Sequence, residues 1–441
     1  MGYYTDMPES ARITPRSVIA VELPVTASAH FALDPASLFP FPLDDFQRTA
    51  IAALDEGKSV VVSAPTGSGK TLIGEYAIFR ALSQGKRVFY TTPLKALSNQ
   101  KFRDFREQFV EEQAGLLTGD ISINRDAPVV VMTTEIFRNM LYGTPIGQVG
   151  TSMQGVETVV LDECHYMNDS QRGTVWEESI VYCPQNIQLA ALSASVENGG
   201  QLTDWLNAVH GPTELIYSDY RPVPLRIFFG NHKGLFPLLD ETGTKLHPQF
   251  KAERKNRRKP REQVRRDLRA ETPEIPFVLA QLKDRDMLPA IYFIFSRRGC
   301  DRSVTSIQAL SLVSEEEAQT LKTRIDAFLA ANPGAARTGQ LDALYRGIAA
   351  HHAGILPAWK GLVEELFQAG LIKVVFATET LAAGINMPAR TTVISSLSKR
   401  TDRGHRLLNA SEFLQMAGRA GRRGKDIQGY VVTLQTPFEG A

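Results

Sequence analysis

Short, nearly continuous apolar runs alternate along the first half of the chain with longer segments in which apolar residues recur three and four positions apart. The apolar runs cover residues 59–63, 87–92, 129–134, 157–161 and 188–193. Such runs are typical of strands that are covered on both faces of a sheet. The segments between them, such as 71–82 and 97–109, have helical spacing. This alternation predicts a doubly wound α/β domain with a parallel sheet over residues 35–215.

A second series of the same kind follows. The predicted strands are 225–229, 290–295, 373–377, 391–395 and 429–434, with helical segments such as 315–329 and 359–368 between them. We therefore expect a second α/β domain over residues 225–441. Residues 216–224 are the predicted hinge, because Pro222 and Pro224 fix their own φ and favour an extended residue before them. Residues 1–34 are interpreted as a loosely ordered N-terminal extension.

Residues 245–269 form a basic insertion in the second domain, with eleven Lys or Arg against three Asp or Glu, a local net charge of +8. One interpretation is a solvated and partly disordered insertion. The other is an arm that contacts a polyanion. The whole chain has a net charge of only +1, so any attraction to nucleic acid must be local.

Composition narrows the class of protein. Hydrophobic residues make up 43% and charged residues 22% of the 441 residues, which is ordinary for soluble globular chains and excludes wholesale disorder. The uncharged stretch 179–196 contains Pro184 and three side-chain amides, so we expect no transmembrane helix and no membrane partner. The N-terminus has the pattern of neither a secretory signal nor a transit peptide. The three cysteines of the whole chain are too few for a disulfide framework. We expect a cytoplasmic protein, or a stromal one if a plastid leader has been trimmed.

A phosphate-loop pattern, Ala64-Pro-Thr-Gly-Ser-Gly-Lys-Thr71, follows the first predicted strand and precedes a predicted helix. Backbone N–H groups at such a helix N-terminus surround the β- and γ-phosphates of a nucleotide. Lys70 is expected to neutralise phosphate charge and Thr71 to hold magnesium. The loop residues expected to bind the nucleotide are Thr66, Gly67, Ser68, Gly69, Lys70 and Thr71. Ala64 replaces the usual first glycine, and a simple glycine-rich turn is the alternative interpretation.

Two adjacent acids, Asp162 and Glu163, follow the predicted strand 157–161. Carboxylates at the end of a buried parallel strand lie at the ligand edge of the sheet. We expect Asp162 to bind magnesium through water and Glu163 to orient or deprotonate the attacking water. The alternative is a solvated loop entry. Cys164 and His165 beside these acids could indicate a metal cluster, but no second Cys/His pair at ligand spacing follows.

These motifs together resemble the DExH-box helicases of superfamily two, and the resemblance covers about residues 38–437. Its further motifs are the segment FPLDDFQRTAI with Phe41 and Gln47, Thr92-Pro-Leu-Lys95, Thr118-Gly-Asp120, Thr133-Thr-Glu135, Ser193-Ala-Ser195, Phe295-Ser-Arg-Arg298, Ala377-Thr-Glu-Thr-Leu-Ala-Ala-Gly-Ile-Asn-Met-Pro388 and Gln415-Met-Ala-Gly-Arg-Ala-Gly-Arg-Arg-Gly424. The R-R-G ending and His351-His-Ala-Gly-Ile-Leu-Pro357 are similar to the Ski-like, exosome-associated RNA helicases, and within them to the cyanobacterial and plastid branch.

The resemblance implies a role for each matching residue. Phe41 stacks on adenine and Gln47 hydrogen-bonds it, while Gly384 and Asn386 also contact the nucleotide. Residues expected to couple hydrolysis to strand movement are His165, Ser193 and Ser195, the last in place of the usual threonine. Gln415 positions the water or the γ-phosphate. Residues expected to contact the nucleic-acid backbone are Pro93, Lys95, Gly119, Thr134, Glu135, Arg297 and Thr378.

Arg419 and Arg422 have a physical interpretation without the family. They are three residues apart, hence on one face if the segment is helical. Guanidinium groups from a second domain can neutralise the charge that spreads over a transferring phosphoryl group, and such groups contribute about 10³ to 10⁵ in rate. The alternative is a basic, solvated loop.

The expected fold is two tandem RecA-like domains, each a parallel sheet flanked by helices, with the ATP site in the interdomain cleft. The expected enzyme is an ATP hydrolase that uses ATP and Mg²⁺ to move 3′ to 5′ along single-stranded RNA and to unwind duplexes. RNA-decay or ribosome-associated proteins are the expected partners. The alternatives are a DNA helicase, a translocase that does not unwind, a phosphotransferase with the same phosphate loop, and, least favoured, a non-enzymatic scaffold.

The stretch Arg400-Thr-Asp-Arg-Gly404 is turn-forming, and residues 394–399 and 405–408 flank it. We interpret this as a β-hairpin that splits a duplex, with an ordinary sheet-edge hairpin as the alternative. Ski-like proteins continue into winged-helix and ratchet domains, whereas this sequence stops at Ala441. We therefore expect ATP binding but feeble processive unwinding from this chain.

Overall fold

The computed structural model describes residues 33–143, 151–168, 172–194, 198–240, 245–247, 272–307, 309–337, 339–382, 387–401 and 404–436. Several predictions fall outside them: nearly all of the N-terminal extension and of the basic insertion, and the predicted site residues Ser195, Gly384 and Asn386. Contacts divide the described residues into two compact units. One ends at Ser218 and the other begins at Asp219, with the loop residues Pro65–Ser68 grouped with the second.

The first unit contains an eight-stranded sheet within the described residues. Its strands are β1 Ser59–Ser63, β2 Arg87–Thr92, β3 Ala114–Leu117, β4 Ser122–Ile123, β5 Val129–Thr133, β6 Val156–Leu161, β7 Gln188–Ser193 and β8 Thr213–Tyr217. Their order across the sheet is β4-β3-β5-β2-β6-β7-β1-β8. All neighbours run parallel except β3 and β4.

Helices cover both faces of this sheet. They are α1 Pro35–Leu38, α2 Asp45–Asp55, α3 Thr71–Ser83, α4 Lys95–Gln108, α5 Thr134–Tyr142, α6 Gly173–Tyr182 and α7 Gly199–Val209, with short 3-10 turns at Glu111–Gln113, Thr151–Met153 and Cys164–Asn168. Alternate strand residues enter two separate cores. Val60, Val62 and Tyr90 pack with α2, α3 and α4, while Val61 and Phe89 pack with α5, α6 and α7. The near-continuous apolar runs are therefore strands buried on both faces, as predicted.

The second unit contains a seven-stranded sheet within the described residues. Its strands are β9 Leu225–Asn231, β10 Gly234–Pro237, β11 Ala290–Phe293, β12 Ile348–His351, β13 Val374–Ala377, β14 Thr391–Ile394 and β17 Gly429–Leu434. Their order is β10-β9-β17-β14-β11-β13-β12, and all neighbours run parallel except β9 and β10. Its helices are α8 Ile275–Asp284, α9 Arg297–Ser306, α10 Glu315–Ala331, α11 Leu341–Leu344, α12 Pro357–Gln368, α13 Glu379–Ala382 and α14 Ala410–Ala417.

A separate two-stranded hairpin pairs β15 Ser398–Thr401 with β16 Gly404–Leu407 in antiparallel register. The predicted hairpin is present, but Ile394 belongs to β14, and Arg400 continues the strand instead of entering the turn. Gly404 has φ of 108°, a conformation that glycine adopts without strain.

Two tandem α/β units with parallel sheets are thus confirmed, and each sheet also carries one antiparallel edge pair that the sequence did not predict. Among the helices of the described chain, none combines the length and the apolar character needed to cross a bilayer.

A buried arginine joins α2, α3 and the sheet of the first unit. The Arg80 side chain is 5% exposed and lies 3.6 Å from both Asp55 and Glu157. It also donates to the Leu54 carbonyl and to the Gln188 side chain. Since α3 begins at the phosphate loop, this cluster fixes the helix on which that loop depends.

Candidate nucleotide site and strand-contacting residues

The phosphate loop connects β1 to α3, as predicted. Gly67 and Gly69 have φ of 82° and 92°, which glycine tolerates and which turns successive N–H groups of the loop into a concave nest. Thr66 and Ser68 lie in the same loop, and the Ser68 hydroxyl makes no hydrogen bond within the described chain. Lys70 forms the N-cap of α3, and its Nζ donates to the Ala64 carbonyl across the loop at 2.7 Å.

Gln47 and Phe41 differ sharply in exposure. Phe41 is 39% exposed, and its ring lies 6.1 Å from that of Phe39, tilted by 38°. Gln47 is buried, accepts from the Asp44 N–H at 2.9 Å and donates to the Gly69 carbonyl at 3.0 Å. The first contact closes the capping box of α2, and the second supports the phosphate loop. The predicted adenine contacts of both residues stay predictions.

Asp162 and Glu163 directly follow β6 and point to different partners. The buried Asp162 carboxylate accepts from the Tyr90 hydroxyl at 2.8 Å and from the Glu163 N–H at 2.9 Å. Burial and then the charge of Glu163 raise the pKa of Asp162, while Lys101 and the Tyr90 hydrogen bond oppose that rise. Glu163 has φ of 54°, and its Oε2 lies 3.3 Å from His165 Nδ1.

Thr71 and Asp162 supply the ligand chemistry that magnesium requires. Lys101 on α4 donates to the Thr71 hydroxyl at 3.3 Å, and its charge also acts on Asp162. Hydroxyl and carboxylate oxygens suit Mg²⁺, which in nucleotide sites is held by one or two protein groups together with phosphates. The described residues contain no cluster of three or more metal-ligating side chains. The Thr71 hydroxyl and the Asp162 carboxylate therefore fit the magnesium ion of a bound nucleotide.

Two of the three predicted coupling residues, His165 and Ser193, lie at the same edge of the sheet. His165 stands in the 3-10 turn after β6, and Ser193 is the buried last residue of β7. Ser195 lies outside the described residues. Burial raises the pKa of the buried Cys164 thiol to about 12, so this thiol stays protonated near neutral pH.

The predicted strand-contacting residues of the first unit follow β2, β3 and β5. Lys95 begins α4 and pairs with Asp120 at 2.6 Å, and a side chain at Gly119 would approach Lys95 Nζ to 3.3 Å. Pro93 lies buried between β2 and α4. Thr134 begins α5 and donates to the Thr92 carbonyl at 3.2 Å, and Glu135 follows it in the first turn. These residues share the edge that carries Asp162.

In the second unit, Arg297 and Thr378 follow the neighbouring strands β11 and β13. Arg297 is exposed at the start of α9, next to Gly354 of the His-His-Ala-Gly segment. Thr378 is half-buried, and its hydroxyl hydrogen-bonds that of Thr380 at 2.9 Å. The structure therefore brings Arg297 and Thr378 to one edge of the second sheet, as parallel strand ends require.

The segment with Arg419 and Arg422 is not helical, which corrects the shared-face expectation. Helix α14 carries the half-buried Gln415 and ends at Ala417, and Gly421 has φ of 82°. Arg419 donates to the Ala382 carbonyl at 2.6 Å and 3.1 Å. Arg422 forms two hydrogen bonds of 2.8 Å with Asp426. The positions of these two guanidinium groups thus depend on a loop with a positive φ and not on a shared helical face. The catalytic role of Arg419 and Arg422 stays a prediction.

Sequence reasoning missed two residues at the site. Tyr90 hydrogen-bonds Asp162, and Lys101 hydrogen-bonds Thr71. The sequence pattern around Tyr90 predicts only a strand, and that around Lys101 predicts only a helix. A tyrosine among apolar strand residues, on the strand adjacent to the acid pair, was the one available signal. Their partners are 72 and 30 positions away along the chain.

Comparison with known proteins agrees with the geometry. Residues 44–201 match the DEAD/DEAH box helicase family, and residues 335–424 match the helicase conserved C-terminal domain. The chain is 48% identical over 443 residues to DExH-box ATP-dependent RNA helicase DExH15 chloroplastic of Arabidopsis thaliana. The aligned region covers 92% of this chain and 38% of that protein. It is 44% identical over 420 residues to Probable helicase HelY of Mycobacterium tuberculosis, covering 90% and 46%.

Exosome RNA helicase MTR4 of Homo sapiens is 40% identical over 414 residues, covering 90% of this chain and 39% of that protein. The chain therefore spans less than half the length of these relatives. This chain matches both helicase domain families and contains the motifs named in the sequence analysis. The chain belongs to the DExH-box helicases of superfamily two, in the Ski-like family, and comprises their helicase core.

Proposed function

We propose that this chain hydrolyses ATP to move 3′ to 5′ along single-stranded RNA and to separate short duplexes. One observation carries the proposal. The residues predicted to bind the nucleotide and those predicted to contact the nucleic acid lie at the carboxyl ends of adjacent parallel β-strands of one sheet. Going across the sheet, Thr134 follows β5, Pro93 follows β2, Asp162 follows β6, Ser193 is the last residue of β7 and the phosphate loop follows β1. A change at the phosphates thus has a short path to the strand.

Magnesium-bound ATP, when present, supplies the phosphoryl group whose cleavage releases the free energy. Thr71 and Asp162 would hold the metal, and Tyr90 keeps the Asp162 carboxylate in place. Glu163 would accept a proton from the attacking water, and its Oε2 lies 3.3 Å from His165 Nδ1. Lys70 Nζ donates to the Ala64 carbonyl, and its ammonium group would supply a donor to a phosphate when the nucleotide binds.

The proposed substrate is RNA. The strand-contacting set consists of backbone groups, hydroxyls and cations, which bind phosphate and sugar and predict weak sequence preference. The similarity to relatives whose names state RNA helicase activity supports RNA over DNA. We extend the proposal to a partner in RNA decay or on the ribosome, and to a reducing compartment, the cytoplasm or the plastid stroma. The three cysteines are buried free thiols, which suits such a compartment.

The decisive experiment measures steady-state ATP turnover alone, with single-stranded RNA and with single-stranded DNA of the same sequence, at one salt concentration because affinity falls steeply with salt. We expect stimulation by RNA. Stimulation by DNA alone would favour the DNA helicase, and turnover that responds to neither would contradict the proposal. Stimulation without strand displacement would favour the non-unwinding translocase.

Two variants anchor the assay chemically. Lys70→Ala should lose binding of a fluorescent ATP analogue, because the phosphate charge is no longer neutralised. Glu163→Gln should still bind the analogue but barely turn over. Unchanged turnover in Glu163→Gln would remove this residue from catalysis. Direction is tested separately with short duplexes that carry a 3′ or a 5′ single-stranded tail, and displacement from the 5′ tail alone would reverse the proposed polarity.

A further inference from the structure

The hairpin of β15 and β16 is fastened to two helices by four charged side chains, which we call the hairpin network: Lys399, Arg406, Glu379 and Glu412. Lys399 Nζ lies 2.7 Å from Glu379 at the start of α13 and 2.7 Å from Glu412 in the first turn of α14. Arg406 binds both oxygens of Glu412, at 2.6 Å and 2.8 Å. Each hairpin strand therefore contributes one cation.

Glu412 is the centre of this network. Its carboxylate also accepts the Asn409 N–H at 2.9 Å, which completes the capping box of α14. Four donors thus converge on its two oxygens, and Lys399 and Arg406 hold the pKa of Glu412 at about 2, against its burial. Lys399 is only 14% exposed, so this pairing is better shielded from water than an ordinary surface ion pair.

Helices α13 and α14 adjoin residues that are predicted to contact the nucleic acid and the nucleotide. Helix α13 directly follows Thr378, a predicted strand contact. Helix α14 carries Gln415 and runs into Arg419, both predicted to act on the nucleotide. Arg419 in turn donates to the carbonyl of Ala382, the last residue of α13. Hairpin, α13 and α14 are thus joined pairwise, so that none can shift without straining a charged or hydrogen-bonded contact to the others.

We infer that Lys399 is a positioning residue that makes the hairpin move as one body with α13 and α14, so that the hairpin is held at the duplex junction during the ATP cycle. The role at the junction rests on the proposed function, whereas the fastening itself does not. Two different experiments therefore test the two parts.

The chain offers a matched control pair. Lys373 Nζ lies 2.6 Å from Glu317, and the Lys373 side chain is 19% exposed. Glu317 holds the same position in the capping box of α10 as Glu412 holds in that of α14. Lys373→Met thus removes a lysine of similar burial from a similar carboxylate in the same unit, away from the hairpin.

The first experiment is amide hydrogen exchange by mass spectrometry on the free chain. Lys399→Met should speed exchange of the β15 and β16 amides about tenfold while β11 and β13 stay as protected as in the unmodified chain. Lys399→Arg should restore protection, and Lys373→Met should leave the hairpin unchanged. Equal hairpin protection in Lys399→Met and the unmodified chain, or equal loss in Lys373→Met, would overturn the fastening.

The second experiment uses a tailed RNA duplex with 4-thiouridine either at the first paired nucleotide or within the single-stranded tail. Photocrosslinking from the junction should label the hairpin peptide, and Lys399→Met should reduce that label about tenfold without reducing labelling from the tail. RNA-stimulated ATP turnover should stay within about twofold, since coupling and not chemistry is lost. Absence of the junction label in the unmodified chain, or a parallel loss of all three signals, would overturn the role. A chain whose ATP turnover ignores RNA would instead refute the proposed function, leaving the exchange result standing.

Discussion

Replacing Tyr90 with phenylalanine removes a single oxygen atom from the nucleotide site. The Tyr90 hydroxyl donates to Asp162 at 2.8 Å in a fully buried environment, and the other Asp162 oxygen has the Glu163 N–H. In Tyr90→Phe the carboxylate keeps its charge but loses the partner that orients it. The ring still fills its place between α3 and α4, so the core loses no volume beyond the hydroxyl.

The expected magnitude follows from the charge on the acceptor. A hydrogen bond to an ionised group contributes about 1.5–3 kcal/mol, which corresponds to about a 10- to 150-fold change in an equilibrium constant. Partners that orient a metal ligand typically change metal affinity by about 10- to 100-fold. We therefore expect the magnesium concentration for half-maximal ATP turnover to rise at least about tenfold in Tyr90→Phe, with near-normal turnover at saturating magnesium.

The assay is a magnesium titration of ATP turnover, run with a parallel thermal melt to monitor folding. Tyr292→Phe is the matched control, because Tyr292 is a buried tyrosine on β11 in the second unit. It should leave the magnesium dependence unchanged. An unshifted titration in a well-folded Tyr90→Phe protein would show that Asp162 does not hold the metal through the geometry described above.

Further predictions concern stability and the hairpin. Arg80→Met should lower the free energy of unfolding of the first unit by about 3 kcal/mol, the lower end for breaking a buried pair, because Asp55 keeps the Tyr76 hydroxyl and Glu157 keeps Lys86. Arg48→Met at an exposed pair should change it by less than about 1 kcal/mol in urea titrations. Because the folded-state pKa of Glu412 is depressed from 4.5 to about 2, its contribution is fully present above pH 4.5 and is lost as pH falls toward 2. The free energy of unfolding should therefore fall less steeply between pH 4.5 and 2 in Glu412→Gln than in the unmodified chain. Equal slopes in the two proteins would contradict a depressed pKa of Glu412. Deleting the tip between β15 and β16 should spare RNA-stimulated ATP turnover and abolish duplex unwinding; loss of both together would count against a wedge.

The strands were predictable where burial on both faces forces an unbroken apolar run. Residues 59–63, 87–92, 188–193 and 429–434 are strands with those bounds, because polar or turn residues limit each run sharply. Strand β12 was missed since its sequence, Ile-Ala-Ala-His, is short and weakly β-forming; neighbouring β13 supplies its pairing. The edge strands β4 and β10 have two and four residues and carry no periodic signal.

The site was predictable as a set of motifs but not as a set of contacts. Spacing identified the phosphate loop and the acid pair because both follow strands, and strand ends converge by topology. It could not show that Tyr90 binds Asp162, that Gln47 supports Gly69 or that Lys399 joins two helices. Those contacts depend on which side chains meet across neighbouring strands and loops, and no local pattern encodes that. The non-helical course of the arginine loop was similarly hidden, since it depends on the positive φ of Gly421.

The backbone at Glu163 explains how two adjacent carboxylates can serve different purposes. In an extended strand successive side chains alternate, yet the predicted roles of Asp162 and Glu163 require both acids at one edge of the sheet, where like charges repel. Strand β6 ends one residue before Asp162, and Glu163 adopts φ of 54°, a conformation that costs a non-glycine residue about 1–2 kcal/mol. The turn lets the Glu163 N–H donate to Asp162, while the Glu163 side chain reaches His165. A glycine at position 163 would relieve the strain but remove the carboxylate, so the predicted catalytic role of Glu163 accounts for a strained acid at a position where the backbone favours glycine.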